Sequence, residues 1–264
     1  MTGRRERKRM DLADAAESLA QARRLVVFTG AGMSAESGIA TFRDAGTGLW
    51  ARFDPRTLAT PEAFRADPAL VWGWYEWRRA AVRRAEPNPG HLAVAAMAAR
   101  VPETVVITQN VDDLHERAGS AAPVHLHGSL FAPRCSACAA PAPVPDGAAE
   151  PGEGRRLAPP RCGRCAAPVR PGVVWFGEAL PERALEAAVE AAYRCDVLLT
   201  VGTSGLVYPA AEIPQVAARR GGTVIQVNPE ETPLDAVCAL NLRGPAAVVL
   251  PALVRAAWGD AVPA

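Results

Sequence analysis

The sequence predicts an α/β protein: a doubly wound parallel sheet interrupted by a smaller inserted region. Three observations carry that expectation. Short apolar runs at 25–29, 105–108, 197–201 and 223–227 alternate with helical segments, the pattern of strands buried on both faces of a parallel sheet. The first run is followed at once by Gly30-Ala31-Gly32-Met33-Ser34-Ala35-Glu36-Ser37-Gly38, a glycine-rich turn. Residues 131–171 lose all periodicity and carry two cysteine pairs among prolines and small residues.

Taken in order, 11–23 reads as an amphipathic helix leading into the strand 25–29. The span 56–84 reads as helical and clusters Trp72, Trp74, Tyr75 and Trp77. Pro87-Asn88-Pro89-Gly90 breaks it, and a further helix runs from His91 to Arg100. Strands follow at 105–108 and 124–127, then the inserted segment. Regular order resumes with a helix at 182–193, strand 197–201, helix 209–220, strand 223–227 and a last strand near Ala247-Val248-Val249. The stretch 139–160 is the one low-complexity loop.

Composition narrows the function classes. The 264 residues suffice for one large core and a small module. A net charge of +1 argues against a dedicated nucleic-acid or membrane-surface binder. Lys8 is the only lysine, which reads as coding bias rather than function. The basic run Arg4-Arg5-Glu6-Arg7-Lys8-Arg9 has no apolar segment behind it, so it reads as a solvated tail and not a secretory signal. Without such a signal, cysteines in C-x-x-C pairs point to metal rather than disulfides, and to the cytoplasm.

Each motif implies a chemistry. In the glycine turn, a missing Cβ lets backbone approach a pyrophosphate, and free N–H groups at a following helix start attract its charge. Cys135-x2-Cys138 and Cys162-x2-Cys165 can each grip one metal from a tight knuckle. Four thiolates complete a tetrahedral zinc site with no open position, hence a structural one. Cys195 and Cys238 read as core thiols. Of four histidines, His91 reads as a local group at a helix start and His115 as packing or capping. His125 and His127 alternate on one expected strand and so would share a face. His127, next to Gly128 at the strand's carboxyl end, stands where ligands bind in open α/β sheets.

Together these residues resemble the sirtuins, the NAD-dependent protein deacylases. The likeness covers roughly 20–255: G-A-G-M-S-A-E-S-G-I-A-T-F-R from Gly30, T-Q-N-V-D from Thr108, H-G-S-L from His127, the four cysteines, V-V-W-F-G-E from Val173, V-G-T-S from Val201 and V-N-P-E from Val227. It implies a Rossmann-like large domain (21–43, 86–130 and 172–258), after a basic tail and helix start at 1–20. A helical insertion (44–85) and the zinc module (131–171) would form a small domain. NAD would be the co-substrate, held by Gly30, Ala31, Gly32, Ser34, Ala35, Glu36, Phe42, Arg43 and Trp50 on the first loop. Gln109, Asn110 and Asp112 would serve the nicotinamide end, Gly202, Thr203 and Ser204 the adenine-side phosphate and ribose, and Asn228, Glu230 and Ala246 the adenosine. Val174, Trp175, Phe176 and Gly177, with Gly205 to Val207, would be strands between which a substrate peptide lies, joined by backbone pairing. His127 matches the catalytic histidine. In that chemistry the acyl oxygen of a modified lysine attacks the ribose carbon as nicotinamide leaves. His127 then takes a proton from a ribose hydroxyl so that the sugar attacks the resulting imidate, giving free lysine and O-acyl-ADP-ribose. A neutral imidazole suits the role because its ordinary pKa is about 6.5. His125 stands where many members carry glutamate.

The resemblance reaches acyl choice as well. Tyr75-x-x-Arg78 shares one helical face and is similar to the pattern of class III, the desuccinylase and demalonylase group. A guanidinium there can grip an acyl carboxylate with two parallel hydrogen bonds. Ala59 falls where that group keeps a small residue, and acetyl-lysine would still fit. The expected partners are acylated lysines of proteins, not nucleic acid or membrane, with the chain acting as a monomer. A hydride-transferring dehydrogenase would carry an acidic residue about twenty positions after its glycines; Thr47-Gly48-Leu49-Trp50 lies there instead. A mono-ADP-ribosyltransferase would use the same NAD site and is the alternative.

Overall fold

The protein, a computed structural model, is described over residues 2–41, 54–144 and 154–259. Chain order begins with helix α1 (Thr2–Gln21) and strand β1 (Arg24–Thr29). α1 starts nine residues earlier than its apolar periodicity suggests and takes in the basic run read as a tail. Between Arg4 and Gln21 there is no glycine or proline, and Ala, Arg, Glu, Lys and Leu all favour helix.

The span read as one helix is three: α2 (Pro55–Leu58), α3 (Pro61–Ala66) and α4 (Pro68–Arg84). Proline is disfavoured inside a helix but suited to its first turn. Thr60 and Asp67 cap the new starts, accepting from the Ala63 and Leu70 N–H groups at 3.1 and 3.0 Å. After them come α5 (Pro89–Ala98), β2 (Glu103–Thr108), α6 (Leu114–Arg117) and a two-residue strand β3 (Val124–His125). β4 (Gly128–Cys135) and β5 (Val169–Val173) form an antiparallel pair apart from the main sheet. The aperiodic segment 131–171 therefore stays outside the main sheet, as read, but its ends are strands.

The remainder is α7 (Glu182–Arg194), β6 (Val197–Val201), a single 3₁₀ turn Ala210–Glu212 running into α8 (Ile213–Arg219), β7 (Thr223–Val227), β8 (Leu240–Leu242) and α9 (Ala246–Trp258). The last strand expected near Ala247 is thus the first turn of a helix. Its β-branched pair Val248-Val249 misleads, because Ala246, Leu250, Leu253 and Val254 recur at helical spacing and bury one face, while Val248 stays exposed.

The six parallel strands run β3-β2-β1-β6-β7-β8. Alternate residues of each strand feed opposite faces. Leu25, Val27, Leu199 and Ile225 pack under α1, α5 and α9, and Val26, Phe28, Leu198 and Val224 under α7 and α8. Each such side chain contributes about 1.5–3 kcal/mol on burial. A third cluster joins the insertions: Leu58, Phe64, Val71, Trp74 and Tyr75 of the helices meet Leu130, Val173 and Trp175 around β4 and β5. Among the described residues no helix is long and apolar enough to cross a membrane.

Candidate active site

Strand order reverses between β1 and β6, the switch point at which open α/β sheets bind ligands. The loops leaving these two strands are locked together. The Gly30 N–H donates to the Val201 carbonyl at 2.9 Å, and the Gly32 N–H to the Gly202 carbonyl at 2.8 Å. A Cβ on Gly32 would lie 2.8 Å from the Gly202 Cα, and one on Gly202 only 2.4 Å from the Met33 nitrogen. Gly202 also sits at φ +59°, which side chains resist. The glycines thus serve loop-to-loop contact, and all three line a cleft. The helix expected after the glycine turn is replaced by two 3₁₀ turns, Ala31–Met33 and Ala35–Ser37, stopped by left-handed Gly38.

The cleft encloses about 400 Å³ and brings together most residues expected there: Gly30, Ala31, Gly32, Ala35, Glu36, Gln109, Asn110, Gly202, Thr203, Ser204, Asn228, Glu230 and Ala246, with His127 at one end. Ser34 and Asp112 stand behind its wall. The Ser34 hydroxyl donates to Asp112 at 3.0 Å and accepts from the Asn110 amide at 3.1 Å, so the buried pair orients the Asn110 carboxamide. Burial pushes the Asp112 carboxyl up, against its hydrogen bonds from Leu114 and Ser34. Phe42, Arg43 and Trp50 lie outside the described residues. Sequence reading missed Asn88, whose amide donates to the Met33 carbonyl at 2.9 Å and to Ser37 at 3.1 Å, bracing the glycine turn from the N-cap of α5. Asn followed by Pro-Gly-His was its visible signal.

β3 ends at His125, so His127 lies in a turn beyond it and the shared strand face is not realised. The turn is too short to be laddered on both sides, and side chains complete the pairing instead. The Nδ1 of His127 is 2.9 Å from the Gln109 carbonyl. A carbonyl only accepts, so Nδ1 carries the proton and Nε2 keeps its lone pair. Burial holds this imidazole below its ordinary pKa, against the pull of that carbonyl. His91 completes a capping box with Asn88, and His115 is buried against Thr29 at 3.0 Å, which accords with the structural roles read for both.

A second cavity of about 190 Å³ meets the first at Gln109, His127 and Val207. Ala59, Tyr75, Arg78, Val174, Trp175, Phe176 and Gly177 line it, together with Val111, Leu180 and Tyr208, which sequence reading did not single out. Trp175 Nε1 donates to the Tyr75 hydroxyl at 3.0 Å, and the charged carbon of Arg78 lies 5.6 Å from the Tyr75 ring. Arg78 is nearly buried, its charged carbon 4.9 Å from the Trp74 ring. Burial lowers its pKa and raises that of Tyr75. Residues 174–177 and 205–207 are not strands: a ladder needs a partner chain between them, and the Val174 N–H is taken by the His127 carbonyl at 2.8 Å. Gly205 packs against Leu234 behind the cavity wall.

The four cysteine sulfurs converge within 4.8 Å of one another, with Cys135 3.4 Å from Cys165 and Cys138 3.8 Å from Cys162. Both knuckles are alike. The Cys135 and Cys162 N–H groups each donate 2.8 Å to the carbonyl five residues on, and Ala139 and Ala166 are both left-handed. The donor set fits one tetrahedral zinc. Cys195 is buried and Cys238 half-buried, both with thiols pushed up by burial, to about 11 and about 12.

A glycine-floored crevice at a switch point, an imidazole at its end and a four-thiolate module define a nucleotide-binding α/β protein with a metal-stapled insertion. The chain belongs to the Sir2 family, which it matches over residues 30–209. It is 64% identical over 240 residues to the NAD-dependent protein deacylase of Methylococcus capsulatus, covering 90% of this chain and 94% of the relative. It is 61% identical over 244 residues to NAD-dependent protein deacylase 1 of Pseudomonas aeruginosa, covering 92% and 97%. A Sir2 homologue mutant in complex with ADP-ribose superimposes with a TM-score of 0.86 at 45% identity, covering 92% of this chain and 95% of that one. A Sir2 homologue–NAD complex gives 0.83 at 46% identity, covering 92% of each.

Proposed function

We propose that this protein is an NAD-dependent protein-lysine deacylase that removes acetyl groups and, through Tyr75 and Arg78, succinyl and malonyl groups. The observation that carries the reading is the placement of His127 where the two cavities join, its Nδ1 proton held by Gln109 and its Nε2 free to accept. NAD suits the cleft because Gly30, Gly32 and Gly202 line it and present backbone rather than side chains to a pyrophosphate. When bound, it supplies a ribose carbon made electrophilic by loss of nicotinamide. Asn110, oriented through Ser34 and Asp112, serves the nicotinamide end, and Asn228 and Glu230 the adenosine end. His127 accepts the ribose hydroxyl proton at Nε2, and its lowered pKa keeps it neutral for that task.

The second cavity takes the acylated lysine. The Tyr75 oxygen accepts from Trp175, which leaves its own proton to give. With the nearly buried Arg78 beside it, the pocket suits an acyl chain ending in a carboxylate. Ala59 leaves room for that chain. Segments 174–177 and 205–207 would pair with substrate backbone, accepting many protein sequences. Zinc, held by Cys135, Cys138, Cys162 and Cys165, would fix the small domain formed by 44–85 and 131–171 against the nucleotide-binding domain. The relatives' deacylase names and this acyl pocket favour deacylation over ADP-ribosyl transfer to protein. We further propose that the chain works as a cytoplasmic monomer on acylated proteins.

Matched acetyl-, malonyl- and succinyl-lysine peptides assayed with NAD test the reading. Turnover of all three, with kcat/KM favouring the acidic acyl groups, is expected. Turnover of acetyl-lysine alone would remove the acidic-acyl part.

A further inference from the structure

The turn that carries His127 carries a second imidazole of opposite character. Residues 125–127 are laced to residues 108–110 by three bonds. The Leu126 N–H donates to the Thr108 carbonyl at 2.9 Å. The Nδ1 atoms of His125 and His127 lie 3.2 and 2.9 Å from the carbonyls of Asn110 and Gln109. Imidazoles therefore continue the ladder where β3 stops. The outer nitrogen of His125, Nε2, is also engaged, 2.7 Å from the Glu116 carboxylate on α6. A carbonyl and a carboxylate only accept, so both nitrogens of His125 must donate, and only the imidazolium can do that.

We propose that His125 is a positioning residue: held as an imidazolium by Glu116, it clamps the Asn110 carbonyl, sets the Asn110 carboxamide in the cleft, and lets go at alkaline pH. The proposal rests on the reading of the cleft as an NAD site. Once neutral, the ring has a single N–H and can satisfy either the carbonyl or Glu116, not both. The surroundings favour the charged form. Burial opposes it, but Glu116, the Asn110 carbonyl and the more distant Asp112 prevail, so His125 titrates above its ordinary value while Glu116 titrates below its own. His115, also on α6, is held neutral by burial. From the other side, α7 turns Ala184, Ala188 and Ala191 toward the cluster around Val124 and keeps its charges exposed.

Three proteins decide the matter: wild type, Glu116→Gln and His125→Phe. The KM for NAD and the imidazole nitrogen resonances are followed from neutral to alkaline pH. In the wild type, His125 carries protons on both nitrogens at neutral pH, and the KM for NAD rises about tenfold as one is lost, the worth of one charge-assisted hydrogen bond. In Glu116→Gln the introduced side-chain amide can give or accept a hydrogen bond. This variant therefore keeps a neutral His125 donating to Asn110, and its KM stays flat across the range. His125→Phe starts with the raised KM and shows no further rise. A singly protonated His125 in the neutral wild type, an alkaline rise that survives Glu116→Gln, or a normal KM in His125→Phe would each overturn the proposal. The resonances are read without turnover. A protein that binds no NAD would therefore sink the cleft reading while leaving the charge on His125 still measurable.

Discussion

The nucleotide cleft and the proposed acyl pocket meet at His127 yet are built from different materials. The cleft is made of backbone: two loops from adjacent strands, pressed together through Gly30, Gly32 and Gly202, with carbonyls that orient an imidazole. The pocket is made largely of side chains, brought from α4, the link between α2 and α3 and the segment after β5, most of them in one small core. The difference teaches where change is tolerated. Gly30, Gly32 and Gly202 admit no side chain without shifting the facing loop, whereas Tyr75 and Arg78 stand on one helix face and can be exchanged without touching the sheet.

Four perturbations would break or sharpen that contrast. The largest effect is expected at the junction. His127→Tyr should fold and bind NAD while turnover of every acyl-peptide falls by at least about 10²–10⁴-fold, the usual worth of a positioned base; steady-state kinetics beside calorimetric NAD binding would show it. Gly202→Ala strikes the backbone side. With its Cβ 2.4 Å from the Met33 nitrogen and φ at +59°, overpacking and left-handed strain should cost about 3 kcal/mol in denaturant unfolding and abolish NAD binding. Arg78→Met strikes the side-chain region. The KM for succinyl-lysine peptide should rise roughly ten- to a hundred-fold, with acetyl-lysine peptide little changed; equal effects on both would remove the acyl-reading role. Stripping zinc with a chelator should lower the melting temperature and raise the peptide KM more than the KM for NAD, since the knuckles sit at the ends of β4 and ahead of β5, not at the cleft.

The smallest effect concerns acid. His91 and His115 are buried neutral, lowered from 6.5 to about 4 and about 3. The unfolded chain takes up their protons first, so their contribution to stability is complete above pH 6.5 and is lost as pH falls from there through about 4 for His91 and about 3 for His115. Melting temperature should drop across that window. The acid limb of the activity profile should also lie below 6.5, because His127 is held below that value.

Legibility in the sequence follows the same division. Strand–turn–strand alternation, the Gly30 turn and the paired cysteines report local backbone needs, and they place the main sheet, the cleft and the metal site. Tyr75 and Arg78 could be paired because i and i+3 share a helix face, but Val111, Leu180 and Tyr208 join them only through tertiary packing. Misreadings arose where local signals compete. Apolar Ala247-Val248-Val249 is helical because Leu250, Leu253 and Val254 bury one face. The span 56–84 broke where Pro61 and Pro68 demanded new starts. Charge on His125 was out of reach altogether, since Glu116 meets it only in the fold.

The most direct measurement counts nicotinamide. Incubated with NAD and a succinyl-lysine peptide, the protein should release nicotinamide in step with deacylated peptide, and release almost none when the peptide is left out. Release without peptide, accompanied by ADP-ribose fixed to protein, or no release under either condition, would contradict a cleft and a pocket that act together through His127.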